Sequence, residues 1–327
     1  MIDLRHGDCL ELMQALPDAS IDCIATDPPY YRLKLSEAWD RQWGTAGEYL
    51  DWLGLCLAEF ARLLKPNGSL YLFASPQMAA RVQMKVGEHF HVLNEIVWVK
   101  VAGTHKRQCP ERSRRYHPQT ERVVFAEQHG QAGDFALTED GLRGDAYEPL
   151  RLWLKQEFNR AGWKADDLNR ICGTASMAGR HYTARSQWAL PTEAHYRALQ
   201  AVAPPGILRR DYECLRREYE HLRREYEHLR RPFRLTCSAG MTDVWTFDTV
   251  QYRAGKHPCE KPTALLEHML RASVRPGGTV FDPFAGSGTT GVAAARLRLN
   301  FLGMEKDATY VNIARARIEA ENTLFTH

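Results

Sequence analysis

Residues 279 to 299 read TVFDPFAGSGTTGVAAARLRL, and few local structures accommodate that order. An apolar run, three glycines spaced GxGxxG (Gly286, Gly288, Gly291) and an alanine-rich stretch of helical composition predict a strand that passes through a glycine loop into a helix. Glycine at such a turn lets a ligand approach the backbone at the helix N-terminus. A tight turn with close helix packing is the alternative for each glycine. The next run, NFLGMEKD, predicts a second strand ending in acids, so that Glu305 stands where ribose hydroxyls are bound in dinucleotide folds. NAD and S-adenosylmethionine share that ribose, and Glu305 alone does not choose between them.

The same rhythm runs through the first part of the chain. IDCIAT (21–26) predicts a buried strand, EYLDWLGLCLAEFARLL (48–64) an amphipathic helix, KPNG a stop, and SLYLFAS (69–75) a further strand. Such alternation builds a parallel sheet. VLNEIVWVK and TERVVFAEQ predict a long-looped hairpin at a sheet edge. From 129 to 250 the chain is polar and irregular, rich in Arg, Trp and Tyr, and reads as a domain inserted between α/β parts 1–128 and 251–327. The α/β pattern resumes at KPTALLEHMLRASVRPGG, with Pro262 expected at the first helical position and Gly277-Gly278 at the helix end. Composition narrows the class. Eight cysteines without a CxxC pair argue against a zinc site or a disulfide framework, so no metal is expected. A charged N-terminus and the lack of a membrane-length apolar run predict a cytoplasmic protein.

TDPPYY (26–31) follows the first strand, and its two prolines stiffen a loop that holds Asp27 and Tyr30 in set positions. DPPY together with DPFAGSGTT resembles the amino-methyltransferases that modify exocyclic nitrogens of DNA bases. With DPPY first, a long insertion next and the glycine loop last, the order resembles their beta class. The resemblance implies an α/β Rossmann-like fold, circularly permuted, with a mostly parallel seven-stranded sheet, one antiparallel strand and a mainly helical target-recognition insertion. It implies S-adenosyl-L-methionine as cofactor and double-stranded DNA as substrate. Catalysis then falls to Asp27 and the Pro28 carbonyl as acceptors of the amino hydrogens, to Pro29 as a stiffener and to Tyr30 as a stacking ring for an extruded base. Cofactor contacts fall to Asp282, Phe284, Gly286, Ser287, Gly288, Thr289 and Glu305. HGDCLELM is similar to the family's adenine-contacting segment, giving Asp8 that role, although Asp8 with Glu11 also reads as a helix capping box. HPCEKPTALL is similar to the segment beside the methionine end of the cofactor, which directs Lys261 to its carboxylate. An aspartate at the first position of the tetrapeptide more often accompanies adenine-N6 activity than cytosine-N4 activity in that family.

Two stretches are suited to nucleic acid. THKRQCPERSRRYHPQ carries Lys106, Arg107, Arg112, Arg114 and Arg115 against Glu111, a density that can neutralise phosphates; a solvated edge loop is the alternative. KADDLNRICGTASMAGRHYTARSQWALPT reads as helix, glycine break and helix, with Arg180, Tyr182 and Arg185 among the residues of a type that reaches base edges; a purely structural subdomain is the alternative. The heptads starting at Tyr212, Tyr219 and Tyr226 put tyrosines and leucines on one helix face. That face either lies on its own domain or serves a homodimer or the DNA backbone. A restriction endonuclease partner cannot be read from the chain. The rival readings are a nicotinamide oxidoreductase, a DNA-binding regulator without turnover, and a methyltransferase acting on RNA or protein.

Overall fold

A computed structural model of the chain describes residues 1–31, 41–100, 114, 116, 118–128, 147–184, 187–229, 231–234, 242–251 and 259–324. It divides into two compact units, residues 1–129 with 231–327, and residues 130–230.

The first unit begins with β1 (Ile2–His6), α1 (Cys9–Met13), β2 (Ile21–Thr26), α2 (Ala46–Leu63), β3 (Leu64–Ala74), α3 (Ala79–Gly87), β4 (Phe90–Lys100) and β5 (Thr120–Gln128). The second unit contributes α4 (Glu148–Arg160), α5 (Ala165–Cys172), α6 (Met177–His181), α7 (Glu193–Val202) and α8 (Tyr212–Leu229). Back in the first unit come β6 (Val244–Phe247), α9 (Thr263–Ser273), β7 (Thr279–Asp282), α10 (Thr289–Arg296), β8 (Asn300–Glu305) and α11 (Ala308–Leu324).

The sheet order is β1-β8-β7-β2-β3-β5-β4-β6, and β5 alone runs against its neighbours. The expected parallel sheet with one antiparallel strand is present, with eight strands among the described residues in place of seven. The extra one is β6, a four-residue strand inside the stretch assigned to the insertion, which pairs with β4 and accepts the Trp98 indole N–H at Phe247 O, 3.0 Å. The β4–β5 hairpin is therefore not at the edge: β5 fits between β3 and β4, and β6 covers β4. The helix stops just before KPNG, at Leu63, but KPNG itself is not a loop. It lies within β3, where the register against β2 jumps from Ile21↔Leu64 to Cys23↔Ser69 and absorbs the extra residues as a bulge.

Strand alternation divides the core into two layers. Ile24, Leu70, Leu72 and Phe281 pack with Leu53, Leu57, Phe60 and Val82 of α2 and α3 on one face. Cys23, Ala25, Tyr71, Phe73 and Val280 pack with Leu265, Met269, Val292 and Ile318 of α9, α10 and α11 on the other. Helix α9 starts one residue later than expected, with Pro262 as its N-cap, and ends at Ser273 rather than at the glycine pair. Pro276 disfavours helical backbone at Arg275, and Gly277, at φ +76°, turns the chain into β7.

The second unit has its own core, including Leu150, Leu154, Phe158, Leu168, Trp188, Tyr196, Leu199 and Leu215. The Tyr/Leu stripe of α8 lies on that core: Leu215 is buried, Leu222 packs against it, and Tyr219 stacks on Tyr147 at 5.0 Å. The break between α5 and α6 is Gly173, left-handed at φ +64°. Asn169 fixes the second helix by accepting from Thr174 Oγ1 (3.0 Å) and Gly179 N (2.8 Å).

Candidate active site

Because β2 and β7 are adjacent and parallel, their carboxyl ends bring DPPY and the glycine loop together from opposite ends of the chain. Asp282 ties them. Its carboxylate accepts the hydroxyls of Thr26 and Thr290, each at 2.6 Å, and the Phe284 N–H at 3.1 Å. Asp282 is only 3 % exposed, and burial pushes its carboxyl up to about 6, against the hydrogen bonds that favour the charged form.

Asp27 sits in a buried charge cluster. The Lys261 ammonium donates to Asp27 Oδ2 and lies 3.3 Å from Glu121 Oε2. Glu121 also pairs with Lys100 and accepts the Tyr30 hydroxyl at 3.1 Å. The ammonium stands over the rings of Tyr30 and Phe73, 4.9 Å from each centroid. Burial raises the Asp27 carboxyl, with Lys261 opposing that shift and Glu121 adding to it. For Glu121, burial is outweighed by the two lysines and its carboxyl is lowered. Lys261 is raised: burial works against the ammonium, and Asp27 and Glu121 prevail. Oδ1 of Asp27 is buried and has no hydrogen-bond partner among the described residues.

Pro28 is buried, Pro29 half-buried, and Tyr30 is 5 % exposed, so a base could stack on that ring only if the loop opened. Lys261, expected to face a cofactor carboxylate, has its ammonium on Asp27 and Glu121. Cys259, two residues earlier, is half-buried.

On the glycine-loop side, Gly286 and Gly288 take left-handed backbone, φ +50° and +79°. A Cβ on Gly288 would lie 2.7 Å from Ala314 Cβ of α11, so close helix packing also requires this glycine. Glu305 accepts from Gly286 N and Asp307 N, both at 2.8 Å, and burial raises its carboxyl. Ser287 is buried, its hydroxyl 3.2 Å from Glu260 and 2.8 Å from Arg317. Thr289 is buried at the start of α10, and Phe284 packs on Trp52 at 5.6 Å. Asp8 caps α1 through Leu10 N at 3.0 Å and meets Lys306 at 3.0 Å. Asp8 is the N-cap, as the capping reading expected, but its bond goes to Leu10 N and not to Glu11 N as a capping box would have it.

Of the residues suited to DNA, Arg114 and Arg180 are exposed, whereas Lys106, Arg107, Arg112, Arg115 and Arg185 lie outside the described residues. Tyr182 does not reach outward; its ring is buried in the second unit and its hydroxyl meets His195 Nδ1 at 2.6 Å. The sequence reading missed Glu121, Lys100, Glu260 and Arg317. A glutamate opening an apolar strand was the one available hint, and nothing in it pointed to Asp27, far away along the chain. Among the described residues no cluster of His, Cys, Asp and Glu is arranged to hold a metal, and no helix is long and apolar enough to cross a membrane.

Comparison with known proteins fits this geometry. The sequence profile of a family described as DNA methylase matches residues 21–316. The chain is 26% identical over 321 residues to the DNA adenine methyltransferase YhdJ of Escherichia coli (strain K12), covering 96% of this chain and 81% of that protein. Two solved structures share the fold. The DNA modification methylase TTHA0409 of Thermus thermophilus, complexed with S-adenosyl-L-methionine, matches with TM-score 0.53 at 20% identity, over 99% of this chain and 96% of that one. PvuII DNA methyltransferase (cytosine-N4-specific) matches with TM-score 0.54 at 15% identity, over 99% and 91%.

Proposed function

The chain belongs to the DNA methylase family, and from that premise we propose that it methylates the exocyclic N6 of an adenine extruded from double-stranded DNA, with S-adenosyl-L-methionine as donor. The observation that supports this reading is Oδ1 of Asp27, buried beside the glycine loop and without a hydrogen-bond partner among the described residues. Adenine is favoured over cytosine by the aspartate that opens the tetrapeptide and by the likeness to YhdJ.

The residues fit the cofactor. Gly286 and Gly288 form a turn at the N-terminus of α10, and Asp8 and Glu305 stand at the carboxyl ends of adjacent strands β1 and β8. A carboxylate has about four acceptor sites, so Glu305 retains capacity for ribose hydroxyls beside its two amide partners. Asp8 is assigned to the adenine, and Phe284, Ser287 and Thr289 to the shape of the pocket. When bound, S-adenosyl-L-methionine supplies an electrophilic methyl group on its sulfonium.

An adenine amino group is a weak nucleophile because its lone pair is delocalised into the ring. The Asp27 carboxylate and the Pro28 carbonyl accept hydrogen bonds from its two N–H groups, and the nitrogen becomes tetrahedral with its lone pair free to attack. The bond from nitrogen to the methyl would form as the sulfonium's bond to it breaks, and one amino proton then leaves the methylated nitrogen. As positive charge develops on nitrogen, a fixed carboxylate stabilises it more than the neutral ground state. Pro29 limits loop motion, Tyr30 is assigned to stack on the base, and alignment supplies the rest. No covalent adduct with the protein is needed.

The insertion is assigned to target recognition through Arg180 and Arg185, and Lys106, Arg107, Arg112, Arg114 and Arg115 to phosphate contact. The Tyr/Leu stripe of α8 is used within its own unit, so this reading needs no homodimer through that face. A DNA substrate supports the cytoplasmic, nucleoid-associated location expected from the sequence.

Asp27→Ala should reduce transfer of labelled methyl groups to DNA by about a thousandfold or more while cofactor affinity stays within roughly threefold. Retained turnover would overturn the catalytic assignment. Mass spectrometry of nucleosides from the methylated DNA should give N6-methyladenine; N4-methylcytosine would move the reading to the other base.

A further inference from the structure

A carboxylate can rotate about its last torsion and exchange its two oxygens, so an acceptor that must point one lone pair at a substrate needs its other oxygen held. In the first unit Asp27 has that asymmetry: Oδ2 takes the Lys261 ammonium, and Oδ1 is buried and unpartnered among the described residues. Lys261 is itself fixed, 7 % exposed between two aromatic faces with Glu121 as a second carboxylate partner. We propose that Lys261, steadied by Glu121, is a positioning residue that anchors Oδ2 of Asp27 and thereby aims Oδ1 at the amino group of the target base. The proposal rests on the reading of Asp27 as the acceptor.

Glu121 has a second consequence. An unbalanced ammonium beside a nitrogen that is becoming cationic would oppose the reaction. The Lys261–Asp27 and Lys100–Glu121 pairs set each ammonium against a carboxylate, and Glu121 lies 3.3 Å from the Lys261 ammonium on the β5 side. Among the described residues, the charged or titratable groups around Asp27 are Lys261, Glu121, Tyr30 and Asp282, with Lys100 acting through Glu121 and Cys259 beside Lys261. The neighbouring residue extends the arrangement: Glu260 meets Ser287 of the glycine loop, so consecutive side chains reach both halves of the site.

The test is single-turnover methyl transfer to DNA across pH, with cofactor affinity measured in parallel, for the wild type, Lys261→Met, Lys261→Arg and Glu121→Gln. Lys261→Met should be slower by roughly 10- to 100-fold with cofactor affinity within about threefold, the scale of losing orientation at a reacting group. Its acid limb should move to higher pH, because a buried carboxylate without its cation holds a proton more tightly. Lys261→Arg, which keeps the cation, should restore the position of the limb. Glu121→Gln removes a negative neighbour and should move the limb the other way. A Lys261→Met enzyme with wild-type rate and limb would overturn the proposal. So would a loss of cofactor affinity that accounts for the whole loss of rate, which would direct the ammonium to the cofactor. A second readout needs no turnover: in protein carrying carboxyl-labelled aspartate, the signal absent from Asp27→Asn should titrate at higher pH in Lys261→Met. A wild type that methylates no DNA would defeat the functional reading alone, and an unchanged Asp27 titration would defeat the positioning role.

Discussion

At the scale of single residues, one carboxyl holds the site together and a different one is assigned the chemistry. Asp282 has its oxygens committed to Thr26, Thr290 and Phe284, and it fixes the spacing between the DPPY loop and the glycine loop. It retains a proton up to about 6, compared with an ordinary value of 3.8. The folded state therefore binds that proton more tightly than the unfolded chain, and its contribution to stability falls as pH rises through the window from about 4 to 6. Asp282→Asn cannot titrate there. The stability of the wild type relative to this variant should fall by on the order of 2 to 3 kcal/mol between pH 4 and 7. Chemical denaturation of both proteins across that range checks it, and a flat difference would show that burial does not shift the group. Asp27 differs because, among the described residues, one of its oxygens has no hydrogen-bond partner.

At the scale of elements, the glycine loop has two sets of requirements. Ligand approach is the familiar reason for glycines at a strand-to-helix turn, yet Gly288 and Gly291 are also pressed against neighbouring structure. An added Cβ on Gly291 would lie 2.3 Å from Ile318 Cδ1 and 2.8 Å from Phe301 Cε1. Helix propensity alone would make Gly291→Ala stabilising by about 1 kcal/mol, so the packing term can be isolated. We expect Gly291→Ala to destabilise by about 1 to 3 kcal/mol, the range for overpacking a tight core. Adding Ile318→Val should recover part of the loss, since it removes the nearest methyl but leaves Phe301. Gly288→Ala adds left-handed strain to the Ala314 clash, and about 2 to 4 kcal/mol is expected from the two together. Denaturation midpoints measured without cofactor keep these effects apart from binding.

At the scale of the whole molecule, two units carry separate cores. The second unit buries its aromatic and leucine residues among its own helices, including the stripe of α8. Residues 130–230 expressed alone should therefore melt cooperatively by circular dichroism; a broad, non-cooperative transition would show that the core depends on the rest of the chain. Replacing the same residues with a flexible linker should leave cofactor binding intact and abolish site-specific methylation. Unchanged site specificity would remove target recognition from this unit.

What the amino-acid order determined by itself was local and periodic. Strand alternation, helix amphipathicity and glycine spacing fixed the α/β class and the strand–loop–helix that holds Gly286 and Gly288, because those signals lie within a few residues of one another. The family resemblance then supplied the chemistry expected of Asp27. Tertiary structure decided the rest. The four-residue β6 was too short to stand out, and it exists as a strand because β4 offers an unpaired edge. Glu121 and Lys261 belong to β5 and the segment before α9, and they meet Asp27 only because strand order brings those elements together. A buried ion cluster has no sequence period: its members are chosen by proximity in a low-dielectric interior, where charges without partners cost too much to keep.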